Sequence, residues 1–191
     1  KSLKLSAEIK RRFEIEKDSL SPNELIRHIL RAEVDLLWFG GIGTYVKSQD
    51  EPQAAAGDRT NDALRVDGAD LRAKVVGEGA NLGMTQHGRI EYAQKGGRLN
   101  TDAIDNSAGV DCSDHEVNIK IVLGEVVARG DMTLKQRNGL LSRMTDEVAE
   151  LVLRDNYLQT AALSVTERLG AGVVDRLGRF MRALERDGLL N

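Results

Sequence analysis

Over its first two-thirds the chain alternates short apolar runs with polar, glycine-closed breaks, and then its character changes. Residues 6–16 read as a short polar helix. A stronger helix signal begins at Ser21, where Ser21 supplies an N-cap, Pro22 suits the first helical position and Glu24 completes a capping box. Leu25, Ile26, Ile29 and Leu30 then fall on one helical face. Residues 34–41, VDLLWFGG, make a brief apolar run ended by two glycines, the pattern of a buried parallel strand. Residues 50–57 read as a loop, and 72–79, RAKVVGEG, repeat the strand-then-glycine pattern. A helix is expected over 85–94, halted by Gly96 and Gly97. Residues 98–105, RLNTDAID, read as a brief extended segment. Ser113 to Glu116 read as a second capping box, opening a helix that runs to about Gly130.

From Thr133 onward no strand-like run occurs. Leu140, Leu141, Met144, Val148, Leu151 and Val152 follow helical spacing, and Val173, Val174, Leu177, Phe180, Met181 and Leu184 form a similar stripe. The pattern therefore predicts an α/β region over 1–125 and an all-helical segment over 126–191. Two apolar runs, each preceded by a helix and closed by glycine, predict adjacent parallel strands at 34–39 and 72–77.

Composition narrows the function classes. The chain has 191 residues, 41% hydrophobic and 30% charged, which favours a packed core over disorder. A net charge of −3 argues against a nucleic-acid surface. In the tail RLGRFMRALERDG, basic residues interleave with acids and an apolar stripe, so that segment is a weak nucleic-acid candidate too. The single cysteine, Cys112, excludes an internal disulfide and fits a reducing, cytoplasmic setting. No apolar run approaches the roughly 20 residues needed to span a bilayer. The opening residues carry no apolar signal core, and the first residue is not Met, so a processed product or an excised piece of a longer protein is expected.

The candidate chemistry lies between Gly77 and Ile121. Val75-Val76-Gly77-Glu78-Gly79-Ala80-Asn81-Leu82-Gly83 invites a dinucleotide-loop reading, but its third glycine falls one place late. Gly41-Ile42-Gly43 fails as well, with Val46 in the third slot, so neither is a pyrophosphate loop. Asp111, Cys112, Asp114, His115 and Glu116 are crowded rather than spaced, with no second ligand group elsewhere, so no metal is expected. Residues 105–113, DNSAGVDCS, precede the expected helix start, where backbone N–H groups and the positive dipole end favour an anion. An Asx-turn followed by a helix cap accounts for the same residues.

Glu78-Gly79-Ala80-Asn81, then Asn106-Ser107-Ala108-Gly109-Val110, then Ser113 and Glu116, resemble the C-terminal part of the cofactor domain of glutamate dehydrogenases. Those enzymes carry E-G-A-N, then A-N-A-G-G-V, with a serine and a glutamate following at the same intervals. Val34 to Gly41 resembles their apolar strand ending in P-A-A. The longer wording, together with TDEVAELVLRDNY at 145–157, resembles the large bacterial NAD-specific glutamate dehydrogenases over about residues 21–157. Gly40-Gly41 and Ser107-Ala108 depart from the shorter enzymes in the way the large ones do.

The resemblance implies the second half of a Rossmann-like, doubly wound parallel sheet, followed by the helical segment. It implies NAD as cofactor, with Gly40, Gly41, Gly79, Asn81 and Asn106 on the cofactor side. Asn81 would contact the nicotinamide ribose or carboxamide. Val110 and Ser113 would line the glutamate side-chain pocket, Ser113 hydrogen-bonding the carboxylate. The expected reaction is oxidative deamination of L-glutamate to 2-oxoglutarate and ammonia. The family's catalytic lysine and aspartate and its pyrophosphate loop belong to an upstream part of the chain. No residue here matches them, so no catalytic residue is assigned and the segment alone is expected to be inactive. The other partners implied are that upstream remainder and, at full length, further copies in a homo-oligomer. The competing reading is a non-catalytic helical interaction or regulatory module.

Overall fold

A computed structural model describes residues 2–190. The chain divides into two compact units, Lys1–Ser107 and Ala108–Asn191, a division that falls ahead of the one drawn at residue 125. The first unit is α/β. A short strand, β1 (Leu3–Lys4), leads into helix α1 (Ala7–Arg12), capped by the Ser6 hydroxyl, which accepts from the Ile9 N–H. This helix stops at Arg12, and Glu14 adopts a left-handed φ of 54° before β2 (Ser19–Leu20) returns antiparallel to β1. Leu5, Ile15 and Leu20 form a small core beneath this hairpin.

Helix α2 (Pro22–Leu30) begins as its sequence dictates: Ser21 and Glu24 bond reciprocally in a capping box, and proline occupies the first turn. Next come β3 (Leu36–Phe39), β4 (Val46–Lys47), β5 (Val66–Asp67) and β6 (Val75–Glu78). Strands β3 and β6 are parallel neighbours, with Leu36 opposite Val75 and Phe39 opposite Glu78. The adjacent, parallel pairing expected of these two runs is present, with the strands starting two and three residues later than expected. Strands β4 and β5 form a second parallel pair that sequence did not reveal, being two residues each. Its register sets Lys47 opposite Asp67, and their side chains bond at 2.5 Å.

Helix α3 (Gln86–Gln94) is capped by Thr85, whose hydroxyl accepts from Gly88, and it ends before Gly96, whose φ is +90°. Its buried Tyr92 packs with Leu30, Phe39, Val46, Val66, Val76 and Met84 in the main core. One face of the β3–β6 pair is thus covered. The other carries Leu36, Trp38 and Val75, all exposed.

Two expectations about the following stretch are corrected. Residues 98–105 are not extended throughout: Arg98 bridges Val75 in parallel, but helix α4 (Asp102–Asp105) occupies the second half. Ser113 is not an N-cap, because helix α5 (Ser107–Ala128) starts six residues earlier. Helical continuity outweighed the local Ser-x-x-Glu signal, and neither an Asx-turn nor a helix mouth lies at 113. The 50–57 loop contains a 3-10 turn at Gln53–Ala56.

The second unit is helical, as its periodicity predicts. Helix α6 (Leu134–Leu169) opens with a Thr133–Gln136 capping box and runs unbroken for 36 residues. Helix α7 (Val174–Arg186) follows a turn that buries Val173. Its apolar stripe is largely exposed, with Val174, Leu177, Phe180 and Met181 all open to solvent. No helix among the described residues is long and apolar enough to cross a membrane.

Candidate functional site

The C-terminal ends of β3 and β6 lie side by side, since Phe39 is opposite Glu78, so the segments Gly40-Gly41 and Gly79-Ala80-Asn81 leave the sheet together. The edge just beyond parallel strands is where α/β folds receive ligands, because backbone groups there are freed from the ladder. The last rung is Ala80 N–H donating to the Phe39 carbonyl at 3.1 Å. Gly40 and Gly41 are exposed, and Gly41 has no atom within 4 Å of where a Cβ would stand. Gly77 and Gly79 are required for a different reason. The Trp38 indole lies over both, and a Cβ on Gly77 would come within 2.5 Å of Trp38 Cε3.

The turn after β6 is held by charge. Glu78 is fully buried, and its Oε2 accepts from Arg89 Nε at 2.6 Å. Its Oε1 accepts from Arg89 Nη2 at 2.9 Å and from the Met84 N–H at 3.1 Å. Arg89 also pairs with Asp102 at 3.1 Å, while Asp102 accepts from the Leu82 N–H at 2.8 Å. That bond holds Leu82 at a left-handed φ of 62°. Burial by itself would lower the Arg89 pKa, but the bonded Glu78 carboxylate, with Asp102 and Asp105, raises it. Arg89 therefore stays charged and fixes residues 78–84. Sequence reasoning missed this network. Its signal was a glutamate at the end of a buried strand, which needs a cation, with one arginine on the helix that follows.

Helix α4 supplies the facing groups. The Glu78 N–H donates to Asp105 at 3.0 Å, and Asn106 Nδ2 donates to Asn81 Oδ1 at 2.6 Å. The structure thus brings Asn81 and Asn106, two expected cofactor residues, into direct contact at the end of the parallel pair, with Gly40, Gly41 and Gly79 on the two strand ends. Their mutual bond uses one donor and one acceptor, leaving Asn81 NH2 hydrogens to donate and the Asn106 side-chain oxygen to accept.

Val110 and Ser113 lie three residues apart on α5, on one exposed face. Ser113 has lost the capping role read from sequence, so nothing local occupies its hydroxyl in that way. Glu116, one turn on, pairs with Lys120.

Residues 1–166 match the family model described as bacterial NAD-glutamate dehydrogenase, catalytic domain. The chain belongs to that family. It is 58% identical over its whole length to an NAD-specific glutamate dehydrogenase of Halomonas elongata and 59% identical to one of Pseudomonas aeruginosa, spanning 12% of each relative. A Mycobacterium tuberculosis relative with the same description is 54% identical over 155 residues, 81% of this chain. The chain is thus a small part of the length of the glutamate dehydrogenases it matches.

Proposed function

We propose that the full-length chain is an NAD-dependent glutamate dehydrogenase, and that this segment holds the nicotinamide end of NAD and the side chain of L-glutamate. The observation that carries the reading is the Asn81–Asn106 amide pair at the open end of two parallel strands. A carboxamide carries one carbonyl acceptor and an NH2 donor, and the remaining donor of Asn81 and acceptor of Asn106 complement it. The residues present therefore fit the cofactor. When bound, NAD supplies the acceptor for the hydride from the substrate Cα.

The work of this segment is positioning. Hydride transfer needs the two reacting carbons held in near-attack contact, and fixed polar groups on rigid elements achieve that. Asn81 orients the ribose or carboxamide. The Glu78–Arg89–Asp102 network holds the turn that bears Asn81. Gly40 and Gly41 let the backbone approach closely, while Gly79, beneath the Trp38 indole, holds its strand end on the cofactor side. Val110 and Ser113 receive the glutamate side chain, Ser113 donating to its carboxylate. The β3–β6 pair forms part of a doubly wound sheet completed by upstream strands, and the helices of 126–191 follow it as a separate segment. The full-length enzyme assembles as a homo-oligomer in the cytoplasm. Proton abstraction and imine chemistry fall to the upstream remainder of the chain.

Steady-state kinetics of the purified full-length protein test this. Glutamate-dependent NADH formation is expected, with Asn106→Ala raising the Michaelis constant for NAD. Absence of glutamate-dependent NADH formation in the wild-type protein would refute the activity.

A further inference from the structure

We propose that Asp111, His115 and Asp155 form a binding site for a divalent transition-metal ion of the Zn2+ type, clamping α5 to α6. Each offers one ligand atom, and these atoms all lie within 4.8 Å of one another. Asp111 and His115 are four residues apart on α5, so helical geometry stacks them on one face, and Asp155 comes from α6. Sequence alone placed only a crowded run at 111–116, without a second ligand group. The second group is Asp155, 40 residues beyond His115 in the chain.

The spacing suits a metal. His115 Nε2 lies 3.5 Å from Asp111 Oδ1. Two ligands bound at about 2.0–2.1 Å with tetrahedral angles stand roughly 3.3 Å apart, close to the Asp111–His115 separation, and Asp155, within 4.8 Å of both, closes the set by rotamer change. A second feature points the same way: Asp111 Oδ2 is buried and has no hydrogen-bond partner among the described residues. A buried carboxylate oxygen without a partner carries a desolvation cost that a cation removes. One imidazole and two carboxylates balance the charge of a divalent ion and leave coordination positions for water. The nitrogen ligand favours Zn2+ and its neighbours in the first transition row over Mg2+ or Ca2+.

The competing arrangement is a simple Asp111–His115 ion pair, and a second competitor is metal capture by the exposed thiol of Cys112. The test uses the full-length protein, stripped with chelator and dialysed against Zn2+ at low concentration. Metal content and affinity are then measured for wild type, His115→Gln, Asp155→Asn and Cys112→Ala. The expected result is loss of one equivalent, or a tenfold or greater weakening, in His115→Gln and Asp155→Asn, with Cys112→Ala unchanged. Retention of every equivalent in His115→Gln and Asp155→Asn overturns the proposal, as does loss in Cys112→Ala alone. X-ray absorption on Zn2+-loaded wild type answers even where a variant misfolds. One imidazole with oxygen donors and no sulfur supports the site, whereas a sulfur shell or no bound metal overturns it.

Discussion

Replacing Arg89 by methionine probes the network that holds the turn after β6. The substitution keeps most of the side-chain stem and removes the cation, leaving the fully buried Glu78 carboxylate with the Met84 N–H as its remaining bonded partner. Removing one member of a buried ion pair costs about 3–5 kcal/mol, chiefly because the other charge stays buried without compensation. The Asp102 link to Arg89 is lost as well, which loosens the residue that holds Leu82. At 1.4 kcal/mol per tenfold, opening of residues 78–84 should become roughly a hundred to a few thousand times more frequent. Amide hydrogen exchange by mass spectrometry on the full-length protein reads this directly in peptides spanning the turn. The exchange gain should be confined to that turn and the start of α3. Glu78→Gln combined with Arg89→Met should recover much of the protection, since a neutral amide is far cheaper to bury than a lone carboxylate. If Arg89→Met leaves exchange at Met84 unchanged, or if the double variant is worse than the single one, the ion pair does not hold the turn.

Three further outcomes are expected. Ser113 sits inside α5 rather than at its end, so Ser113→Ala should leave local protection unchanged. It should raise the Michaelis constant for glutamate about tenfold through loss of a bond to a charged group, with that for NAD unaffected; equal Michaelis constants would make Ser113 a bystander. Gly77→Ala should destabilise the β3–β6 pair by about 1–3 kcal/mol because its Cβ meets the Trp38 ring, and Trp38→Ala should relieve the defect, as read by exchange in β6. Bonding from the Thr44 backbone N–H, then from the Asn61 side-chain amide, lowers the Asp58 pKa, while bonding from the Ser21 backbone and hydroxyl lowers that of Glu24. A depressed folded-state pKa adds stability above the ordinary carboxylate value of about 4 and loses it as pH falls through the folded value. Protection at Thr44 and Ser21, whose N–H groups donate to Asp58 and Glu24, should therefore fall below about pH 4 once corrected for intrinsic exchange, and Asp58→Asn should flatten the response at Thr44 only.

The elements readable in the sequence were those specified locally. Ser21-Pro22-Asn23-Glu24 states a helix start in four residues, and the structure forms that capping box. The runs ending in Phe39 and Glu78 are apolar and glycine-closed, and they pair in parallel. What could not be read depends on partners distant in the chain. Strands β4 and β5 are too short to show a period, and they are fixed by Lys47 meeting Asp67 and by the buried Arg65 donating to the Thr44 carbonyl at 2.8 Å. The Ser113–Glu116 pattern misled because a capping box is a local preference, whereas α5 starts at Ser107, directly after the Asn106 C-cap of α4. At the candidate site, Asn81 and Asn106 were legible as residue types. Their mutual bond and the Arg89 support beneath it were not, since 25 residues separate the first pair in sequence and 11 the second.

A structure of the full-length protein with NAD and glutamate bound tests the central assignment most directly. The nicotinamide ribose or carboxamide should lie within hydrogen-bonding distance of Asn81, beside Asn106, beyond the ends of β3 and β6. A nicotinamide ring bound away from these strand ends, with Asn81 and Asn106 bonded only to each other, would contradict it.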